Sequence, residues 1–188
     1  MSSWVQKGLI TLAALYNAGS HMNNRTRIVN DPADLVPLLQ VFKSDSHKRV
    51  FSSLLNGWKT ENELEEILQE DTYNSLEMLK KIGLIESKWR MPEPGHTPQI
   101  EYHTCYSKLR ADFQCSISDM SDLIRIAITD DEGLRNVADA MECEVKNGNC
   151  SVQNLSRTLN QSPTFLRGIA KRSQHLVVKG HRFELSKR

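Results

Sequence analysis

The chain has 188 residues and a formal net charge of +1, with 39% hydrophobic and 25% charged residues. A chain of this length and composition can bury a hydrophobic core, in one compact domain or two small ones. No apolar run reaches the roughly 18–20 residues that span a bilayer, and four cysteines are too few for a disulfide framework in a chain of this size. The composition therefore excludes membrane-spanning and disulfide-rich classes and favours a cytoplasmic, mostly helical protein.

The first 22 residues are set apart from the rest of the chain. Gly19-Ser20-His21-Met22 is typical of the scar that a protease site and a cloning site leave behind an affinity tag. We therefore expect residues 1–22 to be tag and scar, and we exclude them from functional argument.

Four helices and two strands are predicted after this segment. Apolar residues recur at helical spacing over residues 34–42 and 46–56, and Gly57 ends the second helix. Thr60 and Glu63 form a capping box that begins a third helix, and a fourth helix covers residues 73–82. β-prone runs at 84–90 and 100–106 flank a proline-rich loop. This order is that of a winged helix-turn-helix, so residues 23–115 are predicted to form an N-terminal winged helix domain.

Helical spacing returns at Ser118 and continues to Lys146. Residues 116–149 are predicted to be a helical linker and dimerisation region. The same order of elements then repeats in residues 150–188: a helix from Ser151, a turn, a helix from Pro163 with Ser162 as its N-cap, and a tight hairpin. The fold class predicted from the pattern is thus mainly α with small β-hairpins (α+β), as two winged helix-turn-helix domains in tandem.

Charge is distributed unevenly along the chain. Residues 151–188 carry eight basic residues against a single acid, Glu184. Because lysine and arginine contacts to phosphate supply most sequence-independent DNA binding, this excess predicts double-stranded DNA as the partner of the basic C-terminal domain.

The predicted DNA-binding residues of the C-terminal domain lie on its second helix and its wing. Leu166, Ile169 and Ala170 would form the core face of the helix. Residues near the start of a recognition helix read base edges, and cations further along it neutralise phosphates. The candidates are Thr164, Arg167, Lys171 and Arg172 on the helix, with Lys179, His181 and Arg182 on the wing.

The N-terminal domain is predicted to be a weaker DNA-binding module. Its third helix and the following turn carry an acidic cluster, Glu61, Glu63, Glu65, Glu66, Glu70 and Asp71, which a duplex would repel. Its candidate contacts are Tyr73, Asn74, Lys80 and Lys81 on the fourth helix and Lys88 and Arg90 on the wing. Dimerisation or partner binding by this domain is an equal alternative.

No motif for catalysis or for metal or cofactor binding is found in the sequence. It has no phosphate-binding glycine loop, no His-Glu-x-x-His and no nucleophile elbow, so an enzyme is not expected. Cys105, Cys115, Cys143 and Cys150 lack the paired spacing of a zinc site. We therefore predict no cofactor and no metal, and expect the cysteines to be buried thiols.

A homodimer is predicted from apolar residues in excess of what one small domain needs. They are Leu35, Leu38, Leu39, Leu123, Ile124, Ala127 and Ile128. A twofold dimer would address two DNA half-sites about 34 Å apart, or a multiple of that spacing.

Three segments also carry a resemblance to a known family. They are Leu79-Lys-Lys-Ile-Gly-Leu-Ile-Glu86, Trp89-Arg-Met-Pro-Glu-Pro-Gly95 and Glu101-Tyr-His-Thr-Cys-Tyr-Ser107. They resemble the recognition-helix end and the wing of archaeal, methanogen-type ArsR-like winged-helix regulators. The resemblance implies a homodimeric transcription factor that binds promoter DNA. The Cys-Val-Cys type metal motif of the metal-sensing members has no counterpart between Tyr73 and Ile82, so metal sensing is not carried over.

Two other function classes fit the sequence less well. Tandem winged helices also serve as protein-interaction scaffolds in chromosome and transcription assemblies, a role that suits the acidic N-terminal domain. An RNA-binding module is disfavoured because no aromatic residues for base stacking interrupt the basic helix.

Overall fold

The structure is a computed structural model that describes residues 25–92 and 97–186. The expected tag and scar lie outside these residues. Of the described residues 53% are helical and 20% are in strands, so helices predominate and the sheets are small, as predicted. The helices are α1 Leu35–Phe42, α2 Asp45–Leu54, α3 Glu61–Leu68, α4 Tyr73–Lys81, α5 Ile117–Ile128, α6 Asp131–Lys146, α7 Val152–Leu159 and α8 Pro163–Arg172, with a 3₁₀ helix at Pro32–Asp34. The strands are β1 Thr26–Val29, β2 Lys59–Thr60, β3 Ile85–Arg90, β4 Gln99–Thr104, β5 Lys108–Ala111, β6 Leu176–Lys179 and β7 Arg182–Leu185.

The chain divides into two compact units that are not consecutive in sequence. The first consists of Arg25 and residues 49–107 within the described range, and the second of residues 26–48 and 108–186. This division differs from the sequence-based boundaries at residues 115 and 149. The difference arises because β1 pairs in parallel with β5, and because α1 packs on α5 and α8.

Local capping signals define the helices of the first unit. Thr60 accepts from the backbone N–H of Glu63, and the Glu63 carboxylate accepts from that of Thr60, which confirms the predicted capping box. Gln69 takes a left-handed conformation at the end of α3 and turns the chain into α4. Strands β2 and β3 both pair antiparallel with β4. The resulting order is helix, strand, helix, left-handed turn, helix and two-stranded wing.

The second unit contains the same order between α6 and β7. Ser151 forms an isolated bridge with Arg182 ahead of α7, and Asn160 at the end of α7 is left-handed like Gln69. Ser162 accepts from the N–H of Phe165, with Pro163 as first helical residue, which confirms the predicted N-cap. Strands β6 and β7 form the predicted tight hairpin, in which Lys179 pairs with Arg182 across Gly180 and His181.

The core of the second unit includes residues from its N-terminal segment. Ala33 and Val36 are fully buried in one cluster with α5, α6, α7, α8 and the hairpin. Gly168 permits this approach: a Cβ there would lie 2.8 Å from Leu123 Cδ2, 2.9 Å from Ile126 Cδ1 and 3.5 Å from Val36 Cγ2. Residues 31–36 therefore cover one side of α8, which was expected to face solvent.

Some of the apolar residues from which a dimer was predicted are buried within a single copy of the chain. Leu123 and Ala127 are fully buried and Leu38 is 6% exposed, so these three are not available to the twofold interface that some of the apolar set was predicted to form. Ile124 and Ile128 remain 46% and 61% exposed. The helical spacing predicts an apolar stripe, but it does not show which residues of that stripe are buried by other segments of the same chain.

No helix in the described part of the chain is both long and apolar enough to cross a membrane.

Candidate nucleic-acid interface

Arg167 of α8 is held inside the second unit. Its Nη1 donates to Asp31 Oδ2 at 2.7 Å, and its Nη2 donates to the carbonyl of Gly180 in the wing turn at 2.9 Å. Its side chain is 20% exposed. The expectation that Arg167 extends into solvent is therefore wrong, because a carboxylate 136 residues away in sequence neutralises it.

The next two cations of α8 are also paired within the unit. Lys171 Nζ lies 2.5 Å from Asp34 Oδ1. The Arg172 side chain is 7% exposed, lies 2.6 Å from Asp131 Oδ1, and donates to the carbonyl of Ile126 at the end of α5. Thr164, the fourth helix candidate, is half-buried. The guanidinium of Arg172 thus joins three helices, and α8 is a packed helix whose cations hold neighbouring segments.

The wing of the second unit keeps two of its three candidates available. Lys179 lies 2.6 Å from Glu184. His181 and Arg182 are exposed, and neither side chain forms a hydrogen bond or ion pair within the described residues. Three of the eight basic residues in 151–188 are therefore paired with acids from distant segments, which no local pattern shows.

Helix α4 of the first unit exposes a continuous polar face. Its buried side consists of Ser75, Leu76 and Leu79. The opposite face consists of five exposed residues: Tyr73, Asn74, Glu77, Lys80 and Lys81. The side chains of Asn74, Lys80 and Lys81 form no ion pair or hydrogen bond within the part of the chain that the structure describes.

The two wing candidates of the first unit are engaged in an ion-pair network. Arg90 donates from Nε to Glu101 at 2.7 Å and from Nη1 to Glu63 at 2.6 Å. Lys88 lies 3.3 Å from Glu101 and 4.0 Å from the ring centroid of Trp58. The hydrogen bond from Arg90 lowers the pKa of Glu63, and in turn Glu63, followed by Glu101, raises the pKa of Arg90. Arg90 thus ties the wing to the capping box of α3.

Comparison with known proteins shows the family. The model of the ArsR transcriptional regulator family matches residues 29–187. The chain belongs to the ArsR family. The match includes residues of both compact units. Membership of a family of transcriptional regulators does not support the alternative of a protein-interaction scaffold. No curated protein matches the chain.

The acidic flank of this ArsR-family chain is smaller than its sequence indicates. Glu63 is paired with Arg90, and Glu70 lies 2.5 Å from Arg49. Glu61 keeps no cationic partner within the described residues: burial raises its pKa, and the like charges of Glu65, Asp71 and Glu77 raise it further. Negative potential therefore remains beside the start of α4.

The raised pKa of Glu61 predicts a pH dependence of stability. A carboxyl group whose pKa is raised on folding stabilises the folded protein at low pH relative to high pH. This contribution is lost as the pH rises above 4.5, the ordinary pKa of a glutamate side chain. Glu61→Gln removes the partly buried charge and its repulsion with Glu65 one turn away. The free energy of unfolding near pH 7 should therefore increase by about 0.2–0.5 kcal/mol, the usual size of such a like-charge pair on a helix. Urea unfolding at several pH values measures this, with Glu66→Gln as control. A difference from wild type that did not grow with pH would contradict the assignment.

The cysteines provide no evidence of a sensing site. All four are free thiols, and Cys143 is exposed while the other three are half-buried. The expectation of a buried thiol is therefore wrong for Cys143. Within residues 25–92 and 97–186 no three metal-ligating side chains converge.

Proposed function

We propose that this ArsR-family chain is a sequence-specific, DNA-binding transcriptional regulator of the cytoplasm that acts as a homodimer, with α4 as its recognition helix. The observation that supports this choice is the unpaired polar face of α4, in contrast to α8, whose three cations are held by Asp31, Asp34 and Asp131. The order of elements supports a winged helix-turn-helix in each unit, so the chain would contain two of them.

The face of α4 offers a direct basis for sequence recognition. Asn74 lies in the first turn, where a recognition helix approaches base edges, and its amide can pair with the N6 and N7 positions of adenine. Glu77, one turn further, can accept from the amino group of cytosine. Lys80 and Lys81 in the last turn suit phosphate contacts, which position the protein without reading sequence.

The second unit would have a supporting role at the duplex. We assign Arg167, Lys171, Arg172 and Lys179 to intramolecular contacts. Thr164, His181 and Arg182 remain as candidates for DNA contact in this unit, the last two as exposed groups of a wing.

The proposed dimer uses apolar groups that the fold leaves exposed. Ile124 and Ile128 lie one turn apart on α5 and are 46% and 61% exposed. Burying both in each copy would contribute to a twofold interface, and the two recognition helices would then address half-sites about 34 Å apart.

Salt dependence of duplex binding tests the proposed function. If the dimer neutralises about four to six phosphates, the logarithm of the affinity should fall with the logarithm of salt concentration at a slope of about −4 to −5. Fluorescence anisotropy with a labelled duplex, measured at about 50 and 200 mM salt, gives the slope. Absence of binding at the lower concentration, or a flat response, would contradict a DNA-binding role.

A further inference from the structure

An open crevice of about 320 Å³ lies in the first unit between the start of α3 and the base of the wing. Its lining includes Thr60 of β2, Glu61 of α3, Trp89 of β3, and Ile100 and Tyr102 of β4. Its volume is at the lower end of the range for small-molecule sites. None of these residues belongs to the exposed face of α4.

Tyr102 lines this crevice. The residue as a whole is only 8% exposed, but its hydroxyl oxygen is not among the buried side-chain atoms that lack a hydrogen-bond partner in the described part of the chain. A tyrosine hydroxyl that is accessible at the wall of a crevice can exchange its hydrogen bond to water for one to a ligand.

Apolar walls continue outward from Tyr102. Trp89 and Ile100 are directly opposite each other on β3 and β4, and Tyr102 lies on the same face of this pair of strands. Trp89 is 68% exposed and Ile100 is 38% exposed. An exposed tryptophan beside an aliphatic residue provides a surface on which methylene groups or a cation can lie.

The charge at the crevice is negative. Glu61 lines it, and Glu65, Asp71 and Glu77 lie close enough to act on the Glu61 carboxyl group. None of these four carboxylates forms an ion pair with a described residue. The crevice therefore favours a cation over a neutral or anionic ligand.

We propose that this crevice binds a small aliphatic ammonium ion of the diamine class. One ammonium group donates to the Glu61 carboxylate and to the Tyr102 hydroxyl, while the methylene chain lies on Trp89 and Ile100. The second ammonium group lies in the negative potential of the neighbouring acids. The lining of this site would exist whichever helix contacts the duplex, and Glu77 is the one acid that the site shares with the exposed face of α4.

Calorimetric titration of the full chain with 1,4-diaminobutane tests the site. Glu61→Gln removes a charge-assisted hydrogen bond and should weaken binding about tenfold or more. Tyr102→Phe keeps the ring and removes only the hydroxyl, so it should weaken binding about threefold to tenfold. Glu66→Gln, an exposed acid on the same helix outside the crevice, should bind like wild type. Trp89 fluorescence should change on saturation in the wild type.

Two matched probes separate the site from general effects. 1,4-Butanediol has the same chain without charge, and equal binding of this diol would show that charge is not recognised and would overturn the proposal. Magnesium chloride at equal cation charge tests for diffuse screening. If magnesium ions displaced the diamine at equal concentration, or if Glu66→Gln weakened binding as much as Glu61→Gln, the proposed site would be wrong. Circular dichroism of each variant confirms that the fold is retained.

Discussion

Replacing Lys80 and Lys81 with alanine should weaken duplex binding about equally for all sequences. The slope of log affinity against log salt concentration should also become smaller in magnitude, by about 1 for each phosphate that is no longer neutralised. Both side chains are exposed and have no partner within the described residues, so their removal should leave the fold unchanged. Asn74→Ala should act differently. It should cost about 1–3 kcal/mol and relax preference at one base position, because this variant removes a hydrogen bond to a base edge and leaves the phosphates neutralised.

Arg167→Ala provides the contrast for these variants. Because Arg167 joins Asp31 and the Gly180 carbonyl, its removal should lower the free energy of unfolding by about 1.5–3 kcal/mol and leave DNA affinity close to wild type below the unfolding transition. Anisotropy with a set of single-base operator variants, together with urea unfolding, measures both quantities. If the Arg167 variant were folded but unable to bind, while the Lys80 and Lys81 variants bound normally, the second unit would be the DNA-reading one.

Val36→Asp should unfold the second unit selectively. Val36 is fully buried in the core of that unit, and an unpaired carboxylate there should cost more than about 4 kcal/mol. Hydrogen exchange followed by mass spectrometry should show loss of protection in residues 108–186, with protection retained in peptides from residues 58–107.

A substitution on the same helix serves as its control. Leu39 lies on α1 but is 39% exposed, so Leu39→Asp places the new charge near water and should cost much less. Equal loss of protection in both units of the Val36 variant would show that the units do not unfold separately. Loss confined to residues 49–107 would contradict the placement of α1 in the second unit.

The sequence predicts what short-range chemistry determines. The capping box of Thr60 and Glu63, the N-cap at Ser162 and the hairpin at Gly180 all depend on residues within a few positions of one another. The structure confirms all three, because capping hydrogen bonds and turn preferences act locally.

The missed features depend on contacts between distant segments. Strands β1 and β5 are four residues each and pair across about eighty residues of chain, and short strands without alternating burial have no clear sequence signal. The same holds for the acids that neutralise α8. Counting charges in one segment shows an excess of cations, but Asp31, Asp34 and Asp131 lie far from it in sequence. The charge pattern points to α8 as the DNA-binding helix because it counts only the charges of one segment. It cannot show which of these cations the fold pairs with acids from elsewhere in the chain.

The insertion of the first unit between two parts of the second has a consequence for folding during synthesis. Residues 49–107 can complete their own contacts as soon as they leave the ribosome, because most of their partners are nearby in sequence. Ala33 and Val36 emerge earlier, yet their partners on α5 and α8 are made last. Their apolar side chains must therefore remain uncovered until translation is nearly finished. Residues 33–41 are the segment that a chaperone acting on the nascent chain would protect.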